Sequence, residues 1–181
     1  FLKEFIRLDG RGDAELWNTC RLCAGVANIQ CADCFGGEMF CSACTVDLHA
    51  ISPFHLIEKW NGTFFESTTL KEIGLHIQLG HRAGDHCSNP RNAAGDDFVV
   101  VDSNGIHKVG LDYCGCEKAC DQVTQLLRAR LYPATTTAPK SAATFNTLEF
   151  FHLLSFESKA SVFEFYYTLM RKTDNTGTTS V

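Results

Sequence analysis

No apolar run in this 181-residue chain approaches the ~18 residues that span a bilayer, so no transmembrane helix is expected. Proline is scarce, at four, and charged residues make up only 20% against 45% hydrophobic, which excludes collagen-like and disordered classes. Basic charge is also in short supply. Sixteen Lys+Arg face 21 Asp+Glu, a net charge of -5, the wrong sign for a stand-alone nucleic-acid binder whose affinity comes from neutralising phosphates. Position 1 is Phe1, and no basic-then-apolar leader with a small-residue cleavage site follows, so an intracellular chain is expected.

Cysteine, by contrast, is abundant: ten in all. Without a secretory leader these thiols point to metal and not to disulfides. Cys20/Cys23, Cys31/Cys34 and Cys41/Cys44 form three CxxC pairs, followed by His49 and His55. Each CxxC places two thiolates on one tight turn, within reach of one tetrahedral zinc ion. The short intervals between pairs favour an interleaved cross-brace. Cys20, Cys23, Cys41 and Cys44 then surround one ion, and Cys31, Cys34, His49 and His55 the other. The sequential alternative assigns Cys20 to Cys34 to one ion and Cys41 to His55 to the second. Cysteine also has an ordinary structural role as a small buried hydrophobe, but a module of about 40 residues is too short to hold itself together by apolar burial, so metal supplies the folding energy.

A second constellation comprises His81, Cys87, Cys114 and Cys116. The β-rich runs FVVVD and GIHKVGLDY, joined through Ser103, Asn104 and Gly105, read as a hairpin that returns the CxC towards Cys87. LHIQL alternates as a half-buried strand does. These residues are expected to hold a third zinc ion on a small antiparallel sheet, with His86, His107 and Cys120 as rivals for the fourth position.

Around these centres, FLKEFIRL reads as an amphipathic helix capping the first zinc module, and LKEIG as a brief helix stopped by Gly74. Trp60, Phe64 and Phe65 form an aromatic cluster that fits core packing better than base stacking, because no basic stripe accompanies it. The RGD at Arg11 to Asp13 reads as a turn. LYPATTTAPKSAATF reads as a Pro/Thr-rich loop, and two helical stretches follow, the second with Ser158 as its N-cap. That second helix is apolar over much of its circumference and calls for more than one partner surface. The fold class is therefore α+β. The expected segments are an N-terminal helix (1–19), a double-zinc module (20–60), a small sheet with a His/Cys zinc site (61–122) and a helical region (123–181).

PFHLIEKWNGTFF, LKEIGLHIQLGH, DSNGIHKVGLDYCGC, QLLRARLYPATTTAPKSAATF and FYYTLMRKTDNTG, taken with the CxxC series, resemble the CxC2-like cysteine-cluster region found with KDZ transposases. The family's CxC corresponds to Cys114 and Cys116 and its LGH element to His81. The cross-brace itself resembles ZZ and B-box modules, which mostly bind proteins. The resemblance implies a non-catalytic, zinc-binding accessory module, nuclear, supporting transposon DNA recognition or transposase assembly. Its partners would be the transposase catalytic region, another protein or transposon DNA, with neither membrane nor small-molecule substrate. It also implies a truncated copy, because the acidic catalytic segment does not appear before Val181. A zinc-dependent protein-interaction module without direct DNA contact is the alternative. No enzyme is expected: neither a nucleophile with a positioned base nor an open metal is evident, and Asp96, Asp97, Asp102 and Asp112 read as solvated loop and strand positions.

Overall fold

The structure, a computed structural model, describes residues 1–174. The last part of the expected helical region, 175–181, lies outside the described residues. The chain divides into two compact units, Phe1–Leu75 and the remainder from His76.

The first unit comprises α1 (Leu2–Asp9), a 3-10 turn (Gly12–Leu16), β1 (Ile29–Cys31), α2 (Ser42–His49), β2 (Ile57–Trp60) and β3 (Phe65–Thr68). The strands form an antiparallel sheet in the order β1-β2-β3. Two small cores serve it. Ala14, Cys20, Ala27 and Met39 form one, with Trp60 and Phe65 packed against it edge to face at 5.0 Å between centroids. Ile29, Ile57, Leu70 and Leu75 form the other. Both are too small to order 75 residues by apolar burial, since backbone ordering alone costs ~1 kcal/mol or more per residue.

Two local expectations change here. The amphipathic helix is present, but none of its residues is buried, and Phe5 and Ile6 remain about 60% exposed, so it does not close over the metal module. Leu70 to Gly74 makes hydrogen-bonded turns and no helix, because Gly74 takes φ +106 after a single turn. The RGD is tied down: Asp13 accepts from Arg7 at 2.6 Å and Arg11 donates to Asn18 at 2.7 Å. Arg7, Arg11 and Asp13 line a cleft of about 580 Å³ beside Trp17 and Met39.

The second unit comprises β4 (His76–Gln78), β5 (Pro90–Asn92), β6 (Phe98–Asp102), β7 (Gly105–Cys114), α3 (Gln122–Arg128), β8 (Leu131–Pro133), β9 (Ser141–Thr144), α4 (Phe145–Ser158) and α5 (Val162–Thr173). The hairpin of β6 and β7 forms in antiparallel register, Asp102 opposite Gly105, and β5 pairs antiparallel with the far end of β7. The sheet is larger than expected and mixed, in the order β4-β7-β6-β9-β8 with β5 also on β7. β4 runs parallel to β7, and β9 parallel to β6. The Pro/Thr-rich stretch is thus not all loop: its two ends pair as β8 and β9.

Alternation along β6 splits its side chains between faces. Phe98 and Val100 are fully buried, whereas Val99 and Val101 pack with Ile106 against Phe165 and Leu169 of α5 and Phe151 and Leu154 of α4. Thr144 caps α4, accepting from the Thr147 amide, and its hydroxyl donates to Asp102, which anchors the helix start to the hairpin. The N-cap of α5 is Ser161, not Ser158. Ser161 and Glu164 form a reciprocal capping box, while Ser158 is the last residue of α4, whose turn ends at Lys159 in the left-handed region, φ +59.

Tyr113, on β7, is 2% exposed and its hydroxyl is buried without a hydrogen-bond partner among the described residues. Burial raises its pKa to about 12. Tyr113→Phe is therefore expected to leave stability unchanged or raise it by ~1 kcal/mol, because water satisfies the hydroxyl only in the unfolded chain. Urea denaturation checks this; a loss of more than ~1 kcal/mol would reveal a bonded hydroxyl.

Candidate metal centres

The twelve side chains picked out by spacing converge in three groups of four, with all ligand atoms of each group within 4.8 Å of one another. The grouping in the first unit is interleaved: Cys20, Cys23, Cys41 and Cys44 meet, and Cys31, Cys34, His49 and His55 meet. The sequential pairing is not what the fold builds. In the second unit the group is His81, Cys87, Cys114 and Cys116.

The first group is built from a turn and a helix start. Cys20 and Cys23 flank a tight loop closed by the Ala24 amide donating to the Cys20 carbonyl at 2.7 Å, with Ala24 at φ +60. Cys41 is the N-cap of α2, and Cys44 lies in its first turn. Backbone N–H groups at that end face the sulfurs and favour negative charge on them. Gly25 sits close by: a Cβ there would stand 3.4 Å from the Cys23 Sγ and 3.5 Å from the Cys41 Cβ.

The second group shares the same helix, since His49 is its last residue. The His49 Nδ1–H donates to the Thr45 carbonyl at 2.8 Å, and because a carbonyl only accepts, this bond fixes the tautomer and leaves Nε2 as the bare nitrogen. Nε2 faces the Cys34 Sγ at 3.5 Å. His55 presents the other nitrogen, with Nδ1 3.5 Å from the Cys31 Sγ and 3.4 Å from the Cys34 Sγ. The Cys31–Cys34 knuckle is tied to the His55 loop: the Leu56 amide donates to Asp33 at 2.7 Å and the Ala32 amide to the Leu56 carbonyl at 2.9 Å.

The third group forms where β7 ends. The Cys87 Sγ lies 3.7 Å from the Cys114 Sγ and 3.6 Å from the Cys116 Sγ, and His81 follows the turn after β4. Buried Gln125 of α3 holds the CxC from behind, its Oε1 accepting from the Cys114 amide at 2.8 Å and its Nε2 donating to the Cys114 and Cys120 carbonyls. Gln125 carries no motif and was not legible beforehand. Of the rivals to His81, His107 donates from Nε2 to Asn104 and the Cys120 sulfur accepts from Arg128 at 3.5 Å; neither they nor His86 enter the group. His76 stands 3.5 Å from Asp112 across the parallel β4–β7 pair.

Gly80 is required for this geometry. It sits at φ +77, and a Cβ there would lie 2.6 Å from the Cys114 Cβ. Gly80→Ala is expected to cost roughly 2–4 kcal/mol from backbone strain and overpacking combined. It should displace the third centre while leaving the two cages of the first unit loaded. Metal stoichiometry by native mass spectrometry, falling by one ion per chain, checks it.

Do these groups fit a metal? A disulfide needs sulfurs ~2.05 Å apart, whereas the Cys23 and Cys41 sulfurs stand 3.4 Å apart and all ten cysteines are free. Tetrahedral coordination with metal–sulfur bonds of about 2.3 Å and metal–nitrogen bonds of about 2.0 Å sets edges of about 3.8 Å between sulfurs and about 3.5 Å between sulfur and nitrogen. The observed edges lie near those values. The acid–base chemistry agrees. Hydrogen bonds from backbone amides, that of Cys41 foremost, pull the Cys20 thiol down to about 6, whereas the neighbouring sulfurs, Cys23 first, push Cys44 far up. In the third group hydrogen bonds led by the Ser88 hydroxyl bring Cys116 down to about 6. Cys20 and Cys41 in the first group and Cys116 in the third are drawn towards the thiolate, and neighbouring sulfurs hold Cys44 up, an arrangement that a divalent cation completes.

Comparison with known proteins gives one match. The family model described as "CxC2 like cysteine cluster associated with KDZ transposases" covers residues 70–177, more than half of the chain. The match takes in the third centre, the mixed sheet and the C-terminal helices, and it begins after His55, so it is narrower than the near full-length resemblance and leaves both cages of the first unit outside it. No curated protein and no solved structure matches the chain. Among the described residues no helix is long and apolar enough to cross a membrane. With its CxC at the end of β7 inside the matched region, the chain belongs to the CxC2-like cysteine-cluster family associated with KDZ transposases.

Proposed function

We propose that the chain is a zinc-binding, non-catalytic accessory module of a KDZ-type transposase, acting in the nucleus in transposon DNA recognition or transposase assembly. The observation that carries this reading is the set of three closed tetrads of sulfur and imidazole donors in a chain of this family. Thiolate and imidazole in tetrahedral array suit Zn²⁺, whose filled d shell brings neither redox chemistry nor a geometric preference of its own. Cys20, Cys23, Cys41 and Cys44 would hold one ion. Cys31, Cys34, His49 and His55 would hold the second in a cross-brace of the ZZ or B-box kind, and His81, Cys87, Cys114 and Cys116 the third. All four positions of each cage come from protein, so no site is left for an activated water, and the ions serve folding.

Charge favours a second reading, a protein-interaction module without direct DNA contact. The chain carries a net charge of -5. A tetrathiolate zinc site adds formally about -2, a Cys₂His₂ site 0 and a Cys₃His site about -1, so the metals do not reverse its sign. Binding of the zinc-loaded chain to transposon-end DNA, measured beside a scrambled duplex over a salt series, separates the two. Direct recognition predicts sequence-selective binding that weakens as salt rises. No binding at low salt leaves only the protein-interaction reading.

A further inference from the structure

The helical hairpin of α4 and α5 covers the sheet with one side and leaves the other uncovered. Phe165 and Leu169 of α5 are buried, with the Phe165 ring 5.0 Å from Phe151. Around them Phe163 stays 75% exposed, Phe156 69%, Leu153 56%, Phe150 48%, Tyr167 46% and Tyr166 44%. Phe163 and Tyr167, one helical turn apart, lie ring on ring at an interplanar angle of 13°, and Arg171 extends the same stripe over the Tyr167 ring at 5.1 Å. Side chains of this size, about 200 Å² each and roughly half exposed, leave on the order of 600 Å² of apolar surface. That is the upper end of what a monomer ordinarily exposes.

We propose that this face is the interface of a homodimer, in which α5 packs antiparallel on α5 of a second copy across a two-fold axis. Two features select a second copy. The first is area: with its polar rim the face comes close to the ~800 Å² that each partner gives a standard interface. The second is charge. Glu164 and Arg171 stand seven residues apart on one flank of α5, acidic towards its start and basic towards its end. An isologous contact inverts one copy against the other, so Glu164 of each copy faces Arg171 of the partner subunit, and the helix dipoles oppose.

Sedimentation velocity of the zinc-loaded full chain under reducing conditions tests this, with far-UV circular dichroism and metal content as folding controls. The expected result is a monomer–dimer equilibrium in the micromolar range that stops at the dimer. Phe163→Asp, at an exposed position, weakens association about thirtyfold or more. Arg171→Glu weakens it through like charge against Glu164 of the partner subunit. Phe35→Ser, a fully exposed ring in the first unit, leaves it unchanged. A monomer at every concentration, a dimer indifferent to Phe163→Asp, or continued growth beyond the dimer overturns the proposal.

Discussion

Stripping the metal expected in the three tetrads should unfold the first unit of this chain. Structural zinc contributes on the order of 10 kcal/mol or more per site, and the buried residues of the two cores of Phe1–Leu75 are Ala14, Cys20, Ala27 and Met39 in one and Ile29, Ile57, Leu70 and Leu75 in the other. Each of those apolar side chains is worth ~3 kcal/mol at most on burial, against backbone ordering of ~1–2 kcal/mol for every residue. Cys20 belongs at once to the first core and to the first sulfur group, so the two should be lost together. Addition of a strong chelator should abolish tertiary signals from Trp17 and Trp60, both in this unit, and re-addition of zinc should restore them. The second unit responds less. Phe98, Val100 and Leu111 of its sheet and Leu126 of α3 are fully buried, so hydrogen-exchange protection along β6 and β7 should outlast chelation.

Breaking one cage of the cross-brace should empty both, whereas breaking the third costs one ion alone. α2 carries Cys41 and Cys44 at its start and His49 at its end, and its eight residues are the rigid link between the two groups. Cys41→Ser removes a thiolate from the first cage, and with that ion lost nothing ties the start of α2 to the Cys20–Cys23 loop. Once α2 frays, His49 loses the Thr45 carbonyl that fixes its tautomer, and Nε2 no longer aims at Cys34. The expected loss from Cys41→Ser is two zinc ions per chain together with the fold of the first unit. Cys87→Ser, in a group that draws no residue from α2, should lose one ion and leave the Trp signals intact. Native mass spectrometry with tryptophan fluorescence separates these outcomes. If Cys41→Ser loses a single ion and stays folded, the cages are independent and the helix does not couple them.

What could be read beforehand follows the range of the interaction that decides it. A CxxC is local: two thiols on one turn declare themselves, and short intervals between pairs already favour interleaving. Which histidine nitrogen faces the sulfurs is not local in this sense. Nε2 of His49 and Nδ1 of His55 are selected by the Thr45 carbonyl behind one ring and by the turn Ser52–His55 before the other. The Asn-Gly hairpin was legible because its loop is short. β9 was not, because Ser141 to Thr144 is an Ala-rich run that gains strand form only by parallel pairing with β6, some forty residues earlier. The true N-cap of α5 did leave a signal, since Glu164 follows Ser161 by three positions as a capping box requires, whereas three positions after Ser158 stands another serine. Gln125 left none: a glutamine bonded to the backbone of Cys114 looks, in sequence, like any polar helical residue.

The intact mass of the native, reduced chain is the measurement on which the account turns. Closed tetrads of this geometry predict an excess over the apo mass equal to three zinc ions, with two protons displaced per ion bound and all ten cysteines blocked by alkylation after denaturation under chelation. A folded chain with no bound metal, or one whose cysteines resist alkylation until a reductant is added, would contradict it.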